Sequence, residues 1–338
     1  MSDMEKMKYG AKQAIENCLR VKPDENVCII TDDRTYHIAK LLFEAAKKVT
    51  DDVKIFKMED FGDRPKDGSK PLAFPDEIRD HLKASQVSIY VAGREKSELE
   101  SFRQPMTKVI VENKIRHAHM IAVTDNIMET GMCVDYSEVQ KVSDAVYDIV
   151  KDCKTIRVTT EKGTNFVAEF APPAKWLKFD GLITKDQWDN LPAGEVFTCP
   201  ENANGKVVVD GILGDYLAAK FGMVESNPVT YQIKDSRVVS IECNNKKIKN
   251  ELAEYIKTDE NADRIGEFGI GTNIGLKEFA GVMVQDEKFP GVHIAVGDPH
   301  GSATGVDWKS GVHCDGVIRD VTIEVDGLFI MKDGKYCI

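Results

Sequence analysis

A chain of 338 residues with 42% hydrophobic and 30% charged residues is long enough for two domains and has an ordinary globular composition. Its formal net charge of −11 argues against the basic face that a nucleic-acid backbone needs, and no run of 18 apolar residues offers a membrane span. The charged start MSDMEKMKYGAKQAIENCLRV lacks an apolar signal core and the eight cysteines form no CxxC pair, so a cytoplasmic protein with reduced thiols is expected, without zinc ribbon or disulfide framework.

In chain order, residues 3–20 read as a helix and ENVCIITDD (25–33) as a short buried strand. RTYHIAKLLFEAAKKV (34–49) has helical apolar spacing, and DVKIFKM (52–58) returns as a strand. The pattern repeats with helix 75–85, strand 86–93, a helical stretch over 107–115, strand HMIAVTD (119–125) and helix 137–153. Such alternation predicts a doubly wound parallel α/β domain over residues 1–153. No GxGxxG turn follows its first strand, so a dinucleotide site has no support.

From residue 154 to 338 the texture becomes β-rich, with a hairpin signal around Lys162-Gly163 and further strands at 205–213, 227–243, 293–298 and 316–337. Helical inserts are expected at 246–257 and near 215–222. This half is read as a mainly β domain that carries the chemistry, with the first half as scaffold.

Three of the seven histidines fall within GVHIAVGDPHGSATGVDWKSGVHCDG (291–316). In VHCDGVIRD, a strand would project His313 and Asp315 to one face and Cys314 to the other. An imidazole and a carboxylate on one face suit a divalent Zn, Mn, Co or Fe ion, or else a hydrogen-bonded surface pair. His293 opens the apolar HIAVGD, where a buried imidazole needs a partner, either a backbone carbonyl or a metal. His300, in DPHGS on the intervening loop, is read as a ligand, a general acid/base or a solvent-exposed residue.

Glu195 in LPAGEVFTCP and Glu267 in RIGEFGIGTN stand beside glycines and apolar residues, where an unpaired carboxylate would be costly. A cation would answer that cost, and so would a salt bridge to Arg264 or a lysine. Together the two glutamates, two histidines and one aspartate exceed a closed structural zinc site and suit a two-metal centre that activates a bridging water.

At these residues the chain resembles the M29 family of metallo-aminopeptidases. The likeness runs from CLRVKPDENVCIITDD and is most specific at LPAGEVFTCP, RIGEFGIG, HIAVGD and HCDGVI. The resemblance implies a pair of divalent cations, Zn, Mn or Co, held by Glu195, Glu267, His293, His313 and Asp315. It also implies a homodimer acting on short peptides. The family carries a tyrosine seven residues after its first histidine, and that position here is His300. The chain is also shorter than typical members.

On the resemblance, a metal-dependent aminopeptidase is the leading expectation, with Glu267 as ligand and general base and His300 facing the developing oxyanion. Asp298 is the candidate for reading the peptide amine, and the loop 298–311 is expected to place Trp308 against substrate. The 2,5-dihydroxypyridine ring-cleaving dioxygenases resemble the same scaffold. Their single Fe(II), with two histidines and an aspartate, would here take His293, His313 and Asp315. A non-catalytic metal-binding protein is the third expectation.

Overall fold

The computed structural model describes every residue except Lys66 and Lys96. The chain divides into two compact units, one of residues 1–137 with 181–193 and the other of residues 138–180 with 194–338. This division differs from a single cut after residue 153 in two places. The helix Tyr136–Val150 runs into the second unit, where Val146 and Val150 are fully buried in the core. The segment 181–193 returns to the first unit because its short strand Asp189–Asn190 pairs with the strand Arg116–Ile121.

In the first unit, the strands Val53–Lys57, Val27–Thr31, Val87–Ala92, Arg116–Ile121 and Asp189–Asn190 lie in that order, all parallel. The helices Tyr36–Ala46, Asp76–Ala84 and Gln104–Glu112 connect them, as the alternating pattern predicts. The opening helix is α-helical over Asp3–Gln13, with Ser2 and Glu5 forming a capping box, and continues as a π-helical turn over Ala14–Cys18.

One strand starts earlier than its apolar run. HMIAVTD marks residues 119–125, but the strand is Arg116–Ile121 and all six residues are buried. Its polar members are paired internally. Arg116 reaches Glu25 with its Nη1 3.0 Å from Oε1, Ser88 Oγ lies 2.8 Å from His117 Nδ1, and His117 Nε2 lies 3.2 Å from His119 Nδ1. Paired polar groups can occupy a buried strand that hydropathy alone does not flag.

The second unit contains two antiparallel sheets. Eight strands form the first, in the order Arg237–Glu242, Val229–Lys234, Asn202–Val209, Asn165–Glu169, Thr155–Thr159, Thr322–Val325, Leu328–Lys332 and Lys335–Tyr336. Five form the second, in the order His313–Ile318, Gly291–Gly297, Ile265–Gly271, Glu195–Thr198 and Leu177–Phe179. Val158, Phe166, Val207 and Tyr231 of the first sheet share a buried core with Val196, Phe268, Ile270, Ile294 and Cys314 of the second. Period-two alternation then decides where the chemistry goes. The same five-stranded sheet that sends Phe268 and Ile294 into this core presents Glu267 and His293 on its other face.

Candidate metal centre

The register of the five-stranded sheet assembles the site. Glu267 pairs with Ala295, and Ala295 with Asp315, so both carboxylates fall in one row with a small residue between them. Gly269 pairs with His293, and Gly271 with Glu195, placing a glycine beside each of those two longer side chains. Gly269 is required there, because a Cβ at this position would come within 1.9 Å of His293 Nε2. His313, at the start of its strand, pairs with Gly297.

All five residues expected to bind metal converge on this face. His293 Nε2 lies 3.0 Å from Glu267 Oε1 and 3.5 Å from Glu195 Oε2. His313 Nε2 lies 3.6 Å from Glu267 Oε2 and 3.3 Å from Asp315 Oδ1. Two sets have their donor atoms mutually within 4.8 Å: Glu195, Glu267 and His293, and Glu267, His300 and His313. Glu267 belongs to both. Asp315 stands outside these sets and joins through His313.

The orientation of the imidazoles fits a cation. His293 Nδ1 lies 3.0 Å from the Glu287 carbonyl oxygen, and His313 Nδ1 lies 2.9 Å from that of Asp298. A carbonyl can only accept, so each Nδ1 carries hydrogen and donates. In the neutral ring Nε2 is then the free lone pair, aimed at the carboxylates.

Electrostatics agree. Burial alone would lower His313, but the Asp315 carboxylate beside it and the nearby Glu267 raise it to about 10. Burial likewise opposes the charge on His293, yet its hydrogen bond and attraction to Glu267 raise it to about 9. Burial works to raise the carboxyl of Asp315, but His313 holds it well below the usual carboxylate range. Glu267 is also lowered, its burial outweighed by His293 and His313. In the metal-free chain, the imidazolium protons of buried His293 and partly buried His313 therefore face the two carboxylates. One divalent cation would replace that pair of charges, so the donor set fits a metal.

His300 reaches the same place from a short helical turn, Gly301–Thr304, for which it is the left-handed N-terminal residue at φ 51°. Its side chain is 46% exposed, with Nε2 3.4 Å from Glu267 Oε2 and its ring 4.4 Å from that of His313. It can thus serve as a third nitrogen donor or a solvent-facing proton carrier. Asp298 organises the loop: Oδ1 accepts from the His300 amide at 2.9 Å, and its carbonyl accepts from His313. Trp308 is half-buried with the Arg264 guanidinium 4.4 Å from its ring centre, a packing contact within the unit.

Two residues of the site were not singled out in the sequence. Lys288 is 1% exposed, with Nζ 2.7 Å from Glu195 Oε1 and in contact with Glu287. For Glu195, the lysine partner that its setting allowed is what the fold provides. In the sequence, DEKFP reads as a solvated charge run; only its position before the glycine and apolar residues of the His293 strand hints at burial.

Comparison with known proteins identifies the family. The family model described as NicX, 2,5-dihydroxypyridine 5,6-dioxygenase, matches residues 7–338. The chain belongs to the NicX family. No curated protein sequence matches. Among solved structures, the 2,5-dihydroxypyridine dioxygenase from Pseudomonas putida aligns with a TM-score of 0.73 at 16% identity, covering 99% of this chain and 98% of that one. AmpT from Thermus thermophilus aligns with a TM-score of 0.69 at 17% identity, covering 99% of this chain and 100% of that one.

At these identities the two structures speak for the fold alone, and both support the M29-like scaffold. The mixed architecture expected from the sequence, a parallel α/β layer followed by a β-rich region, is what they share. For activity, the family match favours the ring-cleaving dioxygenase over the aminopeptidase that led the expectations.

Proposed function

We propose that this member of the NicX family is a dioxygenase that opens a dihydroxylated nitrogen heterocycle of the 2,5-dihydroxypyridine type with one ferrous ion. The observation that carries this reading is the family match over residues 7–338. The converging imidazoles and carboxylates are consistent with it.

In this reading His293, His313 and Asp315 hold the metal, a two-histidine, one-carboxylate set that leaves positions open. Ferrous iron, when bound, supplies the one-electron chemistry that lets O₂ react with an aromatic diol. The backbone carbonyls of Glu287 and Asp298 fix the tautomer of the two imidazoles. Glu267 and His300, 3.4 Å apart, take the proton from a substrate hydroxyl, and the exposed His300 ring passes it to water. Phe197, whose ring centre is 6.2 Å from that of His300, gives a planar heterocycle an apolar flank. Both oxygen atoms end in the ring-opened product, so no external reductant is consumed.

The test is anaerobic loading with Fe(II), followed by oxygen-electrode and absorbance measurements with 2,5-dihydroxypyridine. One O₂ taken up per ring lost, with one iron per chain, supports the reading. The grouping of Glu195, Glu267 and His293 within 4.8 Å supports a second, hydrolytic reading. Release of the N-terminal residue from short peptides by the Zn-, Mn- or Co-loaded chain, without oxygen uptake, would install that reading instead.

A further inference from the structure

Lys288 poses a physical problem. An ammonium that is 1% exposed loses most of its hydration, and only close carboxylates offset that loss. Here it has two. Nζ donates to Glu195 Oε1 at 2.7 Å and to Glu287, whose side chains are 10% and 15% exposed. The lysine backbone is equally fixed. Its carbonyl accepts from the Asn273 amide at 3.0 Å, and its amide donates to the Gln285 carbonyl at 2.9 Å. Gly271, the strand partner of Glu195, lies so close that a Cβ there would come within 2.7 Å of the Lys288 carbonyl carbon.

Glu195 is therefore held through one oxygen and placed beside His293 with the other. Oε1 receives the ammonium, and Oε2 lies 3.5 Å from His293 Nε2. A cation seated on Glu195 Oε1 would have to displace Lys288, and one elsewhere between Glu195 and His293 would sit beside a buried positive charge. The three hydrogens of an ammonium can each meet an oxygen, so this group satisfies the carboxylates much as a small cation does.

We infer that Lys288 is a built-in cation occupying the second seat of this centre, a positioning residue that holds Glu195 away from the metal and limits the site to one divalent ion. The inference rests on the reading of the His293, His313 and Asp315 cluster as a metal centre. It does not depend on which reaction that metal performs. Glu195 then belongs to the lysine rather than to the ligand set, and Asp315 is the carboxylate that remains for the metal.

The experiment is saturation of the full chain with Co(II), desalting, and measurement of metal per chain by ICP-MS and native mass spectrometry. The wild-type chain is expected to hold one ion, and Lys288→Met, which frees two buried carboxylates, is expected to hold two. Two ions in the wild-type chain, or one in a folded Lys288→Met, overturns the inference. Far-UV circular dichroism reports whether that variant folds. If it does not, Glu195→Gln/Lys288→Met removes the ion pair together and decides the matter. One ion bound within about threefold of the wild-type affinity supports the assignment; loss of the ion overturns it. A wild-type chain that holds one ion yet takes up no oxygen with the diol would defeat the proposed reaction and leave Lys288 as assigned.

Discussion

Gly269 and His293 face each other across neighbouring antiparallel strands, and the missing side chain of the first is the space occupied by the imidazole of the second. Gly269→Ala therefore should act on the metal centre before it acts on the fold. Its Cβ would stand 1.9 Å from His293 Nε2 and force the ring aside. Bound metal measured by ICP-MS should fall, and turnover should drop at least about tenfold, or ~1.4 kcal/mol of barrier. Unchanged metal content and rate would mean that His293 is no ligand.

Removing a donor outright should be more severe. His313→Ala and Asp315→Asn each take away one end of the 3.3 Å contact that orders this edge of the site. Outer-shell changes in metal sites typically cost about 10–100-fold in affinity, and loss of a ligand should exceed that range. Competition against a fluorescent chelator measures it directly. The melting of the first unit, followed by limited proteolysis, should stay as in the wild-type chain.

The protonation of the site gives the metal-free chain a characteristic pH profile. His293 and His313 rise from an ordinary 6.5 to about 9 and about 10, so their pairing stabilises fully below about 6.5 and is lost as pH climbs through those folded values. Glu267 and Asp315 shift downward, so their contribution is present above their ordinary values of 4.5 and 3.8 and is lost in acid. Differential scanning fluorimetry in chelator should show the melting temperature falling from neutrality towards pH 10. Saturating metal should flatten that fall, because a bound cation replaces the imidazolium protons. Calorimetry in buffers of different ionisation enthalpy should register the protons released.

His300→Ala separates a proton carrier from a ligand. With a half-exposed ring 3.4 Å from Glu267, its loss should cost at least about tenfold in turnover and leave metal content nearly intact. A parallel fall in bound metal would make His300 the third nitrogen donor.

Trp308 should matter to stability more than to rate. The Arg264 guanidinium over its ring is worth about 0.5–2 kcal/mol in such contacts, and Trp308→Ala should lose an amount of that order in urea unfolding. A large rise in KM without loss of stability would place the indole against substrate after all.

Much of this candidate centre is legible in the sequence. His313 and Asp315 declared a shared face through spacing alone, and His293, Glu195 and Glu267 stood out as polar residues in apolar or glycine-flanked settings. What could not be read was pairing. Gly269 looks like any strand glycine until the register sets it opposite His293. Lys288 belongs to the same difficulty, since a charge run gives no sign that two carboxylates distant in sequence will enclose one of its members. The early start of the strand Arg116–Ile121 has a related cause, with histidines and an arginine buried only because each finds a partner. Periodicity reports which face a residue takes, and register decides whom it meets.

Cys314 lies between His313 and Asp315 in the chain and on the opposite side of the sheet. Burial carries its thiol well above the ordinary 9.0, and Cys199, four residues beyond Glu195, is pushed up to about 12 in the same way. Neither sulfur is a thiolate at neutral pH, and neither is within reach of solvent-borne oxidants. Cys314 thus sits across the sheet from the imidazoles and carboxylates, chemically silent in the core. Under the proposed reaction, peroxide formed by a misfired turnover would meet imidazole and carboxylate first, so oxidative inactivation should appear as oxidised histidine near the metal with Cys314 intact.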